Sequence, residues 1–85
     1  MKIKIFYFAR LKESLNYSTE EMELPEGVKT IAQLKTHLAQ RGAAWAHLFN
    51  GKQTIRAAIN HALVDNEAAV KNGDEVAFFP PVTGG

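Results

Sequence analysis

The sequence predicts an α+β fold in which a mixed sheet of about four to five strands is crossed by one main helix, with a short second helix beside it. Three observations support this prediction. Apolar and polar residues alternate near both ends of the chain, as is typical of half-buried strands. One central stretch, beginning at Thr30, combines a helical repeat of apolar residues with a marked start. The chain has 85 residues, 46% of them hydrophobic, which is enough for one domain.

The first two strands are predicted as a hairpin. Residues 2–8 predict the first strand, and its faces are Ile3, Ile5 and Tyr7 on one side and Lys2, Lys4, Phe6 and Phe8 on the other. Residues 9–17 predict a short helical turn and a loop, and residues 19–24 predict the second strand. In an antiparallel pair, Glu21 and Glu23 would lie across from Lys2 and Lys4, which favours that register. Pro25-Glu26-Gly27 is a turn signal that ends the second strand.

The main helix has a clear start. Thr30 suits the N-cap, and Gln33 stands three residues later, which is the spacing of a capping box. Apolar residues then share one face of the helix, namely Ile31, Leu34 and Leu38. Gly42 is expected to take the left-handed conformation just beyond the helix end. Residues 43–50 predict the shorter helix, with Trp45, Leu48 and Phe49 as its packing residues.

The second half of the chain returns to strands. Asn50-Gly51 predicts a turn, residues 55–60 a third strand and residues 63–64 a short further element. Asn72-Gly73 then turns the chain into the last strand, residues 75–79, with Val76 and Phe78 on one face and Ala77 and Phe79 on the other. In a two-layer fold of this kind the last strand can lie in the middle of the sheet beside the first.

The six residues after this strand predict a projecting tail, Pro80-Pro81-Val82-Thr83-Gly84-Gly85, attached to a domain that spans residues 1–79. The proline rings fix φ, and the two glycines carry no side chain that would obstruct a narrow channel. The α-carboxylate of Gly85 is ionised at neutral pH because its reference pKa is about 3.3–3.7. A frayed chain end without a role is the alternative interpretation.

Composition excludes several classes of function. Ten basic and nine acidic residues give a net charge of +1 without a basic run, so nucleic acid and anionic membranes are poor candidates for partners. The chain has no cysteine, which excludes disulfides, thiolate metal sites and a thiol nucleophile of its own. No apolar run approaches the ~20 residues that span a bilayer, and the alternating N-terminal residues do not form a signal peptide. The sequence therefore predicts a soluble, cytoplasmic protein.

Motifs for catalysis are missing as well. The glycines form no phosphate-binding loop, and no serine stands in a strand-turn-helix elbow. His37, His47 and His61 lie in separate elements without metal-ligand spacing, so surface or hydrogen-bonded histidines are the better interpretation. We therefore expect no active site built from side chains, no metal and no bound cofactor.

Several stretches carry a resemblance to a known family. The final twelve residues, Asp74-Glu75-Val76-Ala77-Phe78-Phe79-Pro80-Pro81-Val82-Thr83-Gly84-Gly85, resemble the end of the small, sulfur-carrying subunits of molybdopterin synthase. The opening Ile5-Phe6-Tyr7-Phe8-Ala9-Arg10-Leu11-Lys12-Glu13 is similar to that family's first strand and following turn, and Ala57-Ala58-Ile59-Asn60 with Leu63-Val64 to its middle strands. Residues 42–50 and 66–70 show little likeness. The resemblance implies that residues 1–79 form a single ubiquitin-like β-grasp domain.

The resemblance also implies a chemistry for the chain end. In this family a ubiquitin-activating-type enzyme uses ATP to adenylate the terminal carboxylate, and a persulfide sulfur donor converts it to a thiocarboxylate. The tail then enters the large subunit, within a heterotetramer, and donates sulfur to the pterin precursor to build the molybdopterin dithiolene. By resemblance the reacting residues are Gly85 and Gly84, and the partner-binding residues are Phe79, Pro80, Pro81, Val82, Thr83, Phe6 and Phe8. For the three phenylalanines, ordinary core packing is an equally good interpretation.

Other functions remain open at this point. A sulfur carrier for thiamin or another thiolated product would use the same chemistry with a different destination. A ubiquitin-like modifier would instead form an isopeptide bond between Gly85 and a lysine of another protein. A plain β-grasp binding module would do no chemistry at its tail, and removal of Gly84 and Gly85 would leave its function intact.

Overall fold

The computed structural model describes residues 1–50 and 54–81. The strands are β1 (Lys2–Tyr7), β2 (Thr19–Glu23), β3 (Arg56–Ile59), β4 (Ala62–Val64) and β5 (Glu75–Phe79), and the helices are α1 (Arg10–Leu15), α2 (Ile31–Ala39) and α3 (Ala43–Phe49). The predicted α+β class and the order of the predicted elements are confirmed. One prediction, the Asn50-Gly51 turn, extends outside the described residues.

The five strands form one mixed sheet in the order β2-β1-β5-β3-β4. The last strand lies in the middle of this sheet, parallel to β1 and antiparallel to β3, as the prediction of neighbouring first and last strands required. The predicted hairpin register is also observed, because Lys2 lies opposite Glu23 and Lys4 opposite Glu21. The carboxylate of Glu23 bonds to the N-terminal ammonium at 2.6 Å. That hydrogen bond and the ammonium charge lower the pKa of Glu23.

The three helices pack on one face of the sheet. Alternation places the buried residues of the central strands on this inner face, among them Ile5, Val76 and Phe78, each with 0% of its surface exposed. Leu34 and Leu38 of α2 are equally buried, and Leu48 and Phe49 of α3 belong to the same core. Burying a large apolar side chain contributes about 1.5–3 kcal/mol, so this layer supplies the main stabilisation of the domain.

The predicted start of the main helix is confirmed, and its predicted end is wrong. The Thr30 hydroxyl accepts from the backbone N–H of Gln33, while the Gln33 side chain accepts from the N–H of Thr30, which completes the capping box. The helix ends earlier than predicted, at Ala39. Gly42 therefore is not its left-handed cap but, with φ 154° and ψ 179°, forms the N-cap position of α3. A glycine suits that φ, which other residues rarely adopt.

Two short connections contain residues with positive φ, and the first has the short helical turn that was predicted. The predicted turn after β1 contains a six-residue helix, α1, entered through Ala9 at φ 55° and ψ −132°. The β3–β4 hairpin is closed by two residues, Asn60 and His61, both with positive φ (50° and 73°). Two positive φ values are what a type I′ turn requires, and glycine is the residue preferred at its second position.

Candidate functional site

The root of the tail is held at the centre of the sheet. The backbone N–H of Phe8 donates to the carbonyl of Phe78 at 3.1 Å, and Phe79 pairs with Arg56 at the start of β3. Pro80 and Pro81 are half-buried and continue directly from β5. Because strands on both sides bond to β5, the point from which the tail leaves is fixed by the sheet.

Aromatic contacts on the inner face of the sheet, which the helices cover, also hold the end of β5. Phe78 lies with its ring centroid 5.1 Å from that of Phe49 in an edge-to-face arrangement and 6.3 Å from that of Tyr7. Such pairs contribute about 0.5–1.5 kcal/mol beyond the area that they bury. Phe78, which directly precedes Phe79, is thus anchored in the core.

A polar cluster connects the end of β1 to β2 and to the segment between α2 and α3. The Tyr7 hydroxyl donates to Oε2 of Glu20 at 2.7 Å, and the Arg41 guanidinium donates to the same oxygen at 2.8 Å. Arg41 also lies over the ring of Trp45, 4.2 Å from its centroid. Burial, together with the bond to Glu20, raises the pKa of Tyr7 far above its ordinary value, so this hydroxyl stays protonated and acts as a donor.

No helix covers the other face of the sheet among the described residues, and this face is apolar at the end where the tail begins. The strand registers place Phe6 beside Ala77, Ala77 beside Ala58 and Ala58 beside Leu63. Phe8 and Phe79 adjoin this row. We call these residues the outer apolar patch: Phe6, Phe8, Ala58, Leu63, Ala77 and Phe79. Leu63 is 63% exposed and Phe8 49% exposed. Contiguous exposed apolar residues of this kind mark interaction sites.

The patch contains a depression of about 220 Å³. It is lined by the rings of Phe6, Phe8 and Phe79, by Ala58 and Ala77, and by His61 with Glu75 at one end. The two alanines are too small to fill the space between the aromatic rings and β4, so room is left for a side chain of a partner. His61 Nε2 lies 3.8 Å from Oε1 of Glu75, which gives that end a polar rim.

The structure brings several of the predicted site residues together. Phe6, Phe8, Phe79, Pro80 and Pro81 lie around the root of the tail, and the three phenylalanines lie outside the buried core. Ordinary core packing therefore does not account for them, while their binding role stays a prediction. The remaining predicted residues, Val82, Thr83, Gly84 and Gly85, lie outside the described residues.

Part of this surface was not predicted from the sequence. Ala58, Leu63 and His61 join the patch or its rim only because β3 and β4 pair beside β5. The alternation of Ala57 and Ala58 indicated which of the two faces outward, but the spacing of the strands along the chain carries no signal for their order in the sheet.

Within residues 1–50 and 54–81, no group of three or more histidine, aspartate or glutamate side chains is arranged to hold a metal ion. None of the helices in these ranges has the length and apolar character needed to cross a bilayer.

Comparisons with known proteins agree with this architecture. The chain matches the ThiS family over residues 5–85. It is 42% identical to the molybdopterin synthase sulfur carrier subunit of Haemophilus influenzae and 40% identical to that of Escherichia coli, and each alignment covers 98% of this chain and 99% of the relative.

Solved structures give the same result for the fold. SAMP1 from Haloferax volcanii superposes with a TM-score of 0.77 at 26% identity, over 100% of both chains. A putative molybdopterin converting factor subunit 1 from Pyrococcus furiosus superposes with a TM-score of 0.69 at 28% identity, over 96% of this chain and 99% of the other. These likenesses confirm the predicted β-grasp fold and the resemblance found in the sequence. The chain belongs to the ThiS family and is a β-grasp relative of the sulfur carrier subunits of molybdopterin synthase.

Proposed function

We propose that this chain is the sulfur-carrier subunit of a molybdopterin synthase and that the carboxylate of Gly85 carries the sulfur. The observation that carries the proposal is the position of β5: the strand that leads into the Gly-Gly tail is held between two strands and borders the outer apolar patch. Relatives with 40–42% identity over nearly the full length bear the name of such a subunit, which supports the same assignment.

The proposed chemistry has two steps. A carboxylate is a poor acyl electrophile, because its charge is delocalised and oxide is a poor leaving group. An adenylating enzyme of the ubiquitin-activating type joins the carboxylate of Gly85 to the α-phosphate of ATP, and pyrophosphate leaves. The outer sulfur of a persulfide donor then attacks the activated carbonyl, and AMP leaves. A thiol, such as a second thiol of the donor, attacks the remaining sulfur–sulfur bond, which leaves a disulfide on the donor and frees the thiocarboxylate. Since the reaction consumes ATP, we expect it to take place in the cytoplasm.

Sulfur delivery would occur in a complex with the large subunit. The outer apolar patch offers a docking surface next to the tail, and Phe8 and Phe79 would bury there against the partner. Pro80 and Pro81 limit the conformations that the tail must lose on entering a narrow channel. Gly84 and Gly85 would let the channel stay narrow, since neither presents a side chain.

Intact mass spectrometry tests the proposal. The purified chain is incubated with ATP, an adenylating enzyme and a persulfide donor, and we expect a mass gain equal to the exchange of one oxygen for one sulfur. The matched control lacks only Gly85 and should show no gain. Addition of the large subunit and the pterin precursor should then return the mass to its starting value. No gain, in a reaction where the same enzyme activates another carrier, would overturn the sulfur-carrier assignment.

One observation favours a second candidate, a protein modifier. The likeness to SAMP1 covers both chains completely, and this protein is described as a small archaeal modifier protein. A modifier would transfer its activated Gly85 to lysines of other proteins and produce a ladder of conjugates on a denaturing gel. Conjugates that form while no thiocarboxylate is detected, and that disappear on deletion of Gly85, would favour this function over the first.

A further inference from the structure

A second groove lies on the helix side of the sheet and shares Leu63 with the outer apolar patch. It has a volume of about 580 Å³ and lies where α2, the end of α3 and the β3–β4 hairpin meet. Its lining includes Lys35, Phe49, Ile55, Val64, Asp65 and Asn66. The proposed sulfur chemistry makes no use of this groove, so the lysine within it needs its own explanation.

Two neutral oxygens hold the side chain of Lys35. Its Nζ donates to the backbone carbonyl of Ile55 at 2.6 Å and to Oδ1 of Asn66 at 2.8 Å. Over the described part of the chain, the ion pairs of side chains involve Glu20, Glu23 and Glu75 as acids, and none of them includes Lys35. This half-buried side chain therefore has no carboxylate at ion-pair distance among the residues that the structure describes.

These contacts are compatible with a neutral amine. A neutral lysine has two N–H bonds and one lone pair, so the two oxygens can accept both N–H bonds while the lone pair stays free. Burial lowers the pKa of Lys35 from its ordinary value, which enlarges the neutral fraction relative to a fully solvated lysine. A desolvated amine of this kind is the usual form of a nucleophilic lysine.

We propose that Lys35 is an acylation site, whose amine accepts the acyl group of an activated carboxylic acid such as an acyl phosphate or an acyl adenylate. The lone pair of Nζ attacks the carbonyl carbon and a C–N bond forms. The bond from that carbon to the phosphate oxygen breaks, and the phosphate or AMP leaves with the electron pair. One proton passes from the nitrogen to water. No oxidant, reductant or metal is needed.

Acylation has a consequence for the end of the sheet that holds the tail. An acylated Nζ keeps one N–H and loses the positive charge, so it can retain only one of its bonds to Ile55 and Asn66. Ile55 directly precedes Arg56, whose strand partner is Phe79. The modification therefore loosens the link between α2 and β3 beside the root of the tail.

Two sources of the acyl group are compatible with this chemistry. A small acyl phosphate can reach the groove from solution. The adenylated Gly85 of a second copy of the chain is the other source, and this part rests on the proposed function. Only the second source joins two chains through an isopeptide bond.

The test uses the full chain and acetyl phosphate as the probe. At low conversion and mildly alkaline pH, peptide mass spectrometry compares acetylation at Lys35 with that at the exposed Lys4, Lys12 and Lys71. We expect Lys35 to react several-fold faster than each of them. As the pH is raised, its rate should reach a plateau at a lower pH than the rates of the exposed lysines. In urea the difference should vanish. Lys35→Arg, which retains donors for both oxygens, should remove this product without unfolding the chain. A rate at Lys35 equal to or below that of the exposed lysines in the folded chain would overturn the proposal.

A second arm distinguishes the sources. The chain is incubated with ATP and the adenylating enzyme but without a sulfur donor, and covalent dimers are mapped by mass spectrometry. A Gly85–Lys35 linkage, absent from Lys35→Arg, would show that a second copy serves as acyl donor. Rapid acetylation without such dimers would assign the site to small acyl phosphates alone. Thiocarboxylate formation is measured separately on Lys35→Arg, so failure of the sulfur chemistry and failure of the acylation site are separate results.

Discussion

Replacement of Phe8 by alanine should weaken binding to the large subunit roughly 60-fold without unfolding the carrier. A phenylalanine side chain buries about 150–250 Å² when covered, and 49% of Phe8 is exposed, so about 100 Å² is available to a partner. At about 25 cal/mol per Å², burying this area is worth about 2.5 kcal/mol. Each 1.4 kcal/mol changes an equilibrium constant tenfold, which gives the expected loss of affinity.

Isothermal titration calorimetry with the purified large subunit measures this loss, and a thermal melt confirms that the variant is folded. Phe8→Leu keeps most of the apolar area and should lose less than about tenfold. Tyr17→Ala removes a ring that is 39% exposed but packs against Trp45 on the helix side, so its effect on affinity should be small. An affinity of folded Phe8→Ala within about threefold of the wild type, less than 1 kcal/mol, would refute the assignment of the outer apolar patch as the docking surface.

Three further predictions concern stability, each measured by urea or thermal denaturation. Tyr7→Phe should cost about 1.5 kcal/mol, because it removes a hydrogen bond to the charged Glu20, which keeps its bond to Arg41; an unchanged midpoint would contradict this. His61→Gly should stabilise the chain by about 1 kcal/mol, because glycine adopts the positive φ of this position without strain. Asn60→Ala should destabilise the chain, because the Asn60 side chain donates to Asp74 and accepts from the backbone N–H of Glu75. The pKa of Lys35 is lowered in the folded state, so at pH values between the folded and the ordinary pKa the unfolded chain binds more protons. The free energy of unfolding of the wild type should therefore rise, relative to that of Lys35→Met, as the pH approaches ~10.4. Parallel pH profiles of the two proteins would exclude the shift.

The faces of the strands were predictable from sequence because alternation follows directly from the pleat. Val76 and Phe78 are buried and Phe79 is not, as the pattern of residues 75–79 required. The end of α2 was not predictable, because Gly42 begins α3 and is therefore not available as the left-handed residue that ends α2. The groove around Lys35 was not predictable either, because it is built from residues that are distant in sequence. Its two acceptors, Ile55 and Asn66, are 20 and 31 residues away along the chain.

The length of the tail places a limit on how partners share this protein. Four residues follow Pro81, and an extended chain advances at most about 3.3–3.6 Å per residue, so Gly85 lies within about 13–14 Å of Pro81. Under the proposed function, the enzyme that adenylates Gly85 and the large subunit that uses its sulfur would therefore both approach the outer apolar patch. Because Phe8 and Phe79 line the same depression in this patch, two proteins that cover both residues would overlap. We expect the large subunit to inhibit adenylation competitively, with Phe8→Ala weakening the inhibition in parallel with its affinity. Adenylation at an unchanged rate in the presence of saturating large subunit would show that the two partners use different surfaces.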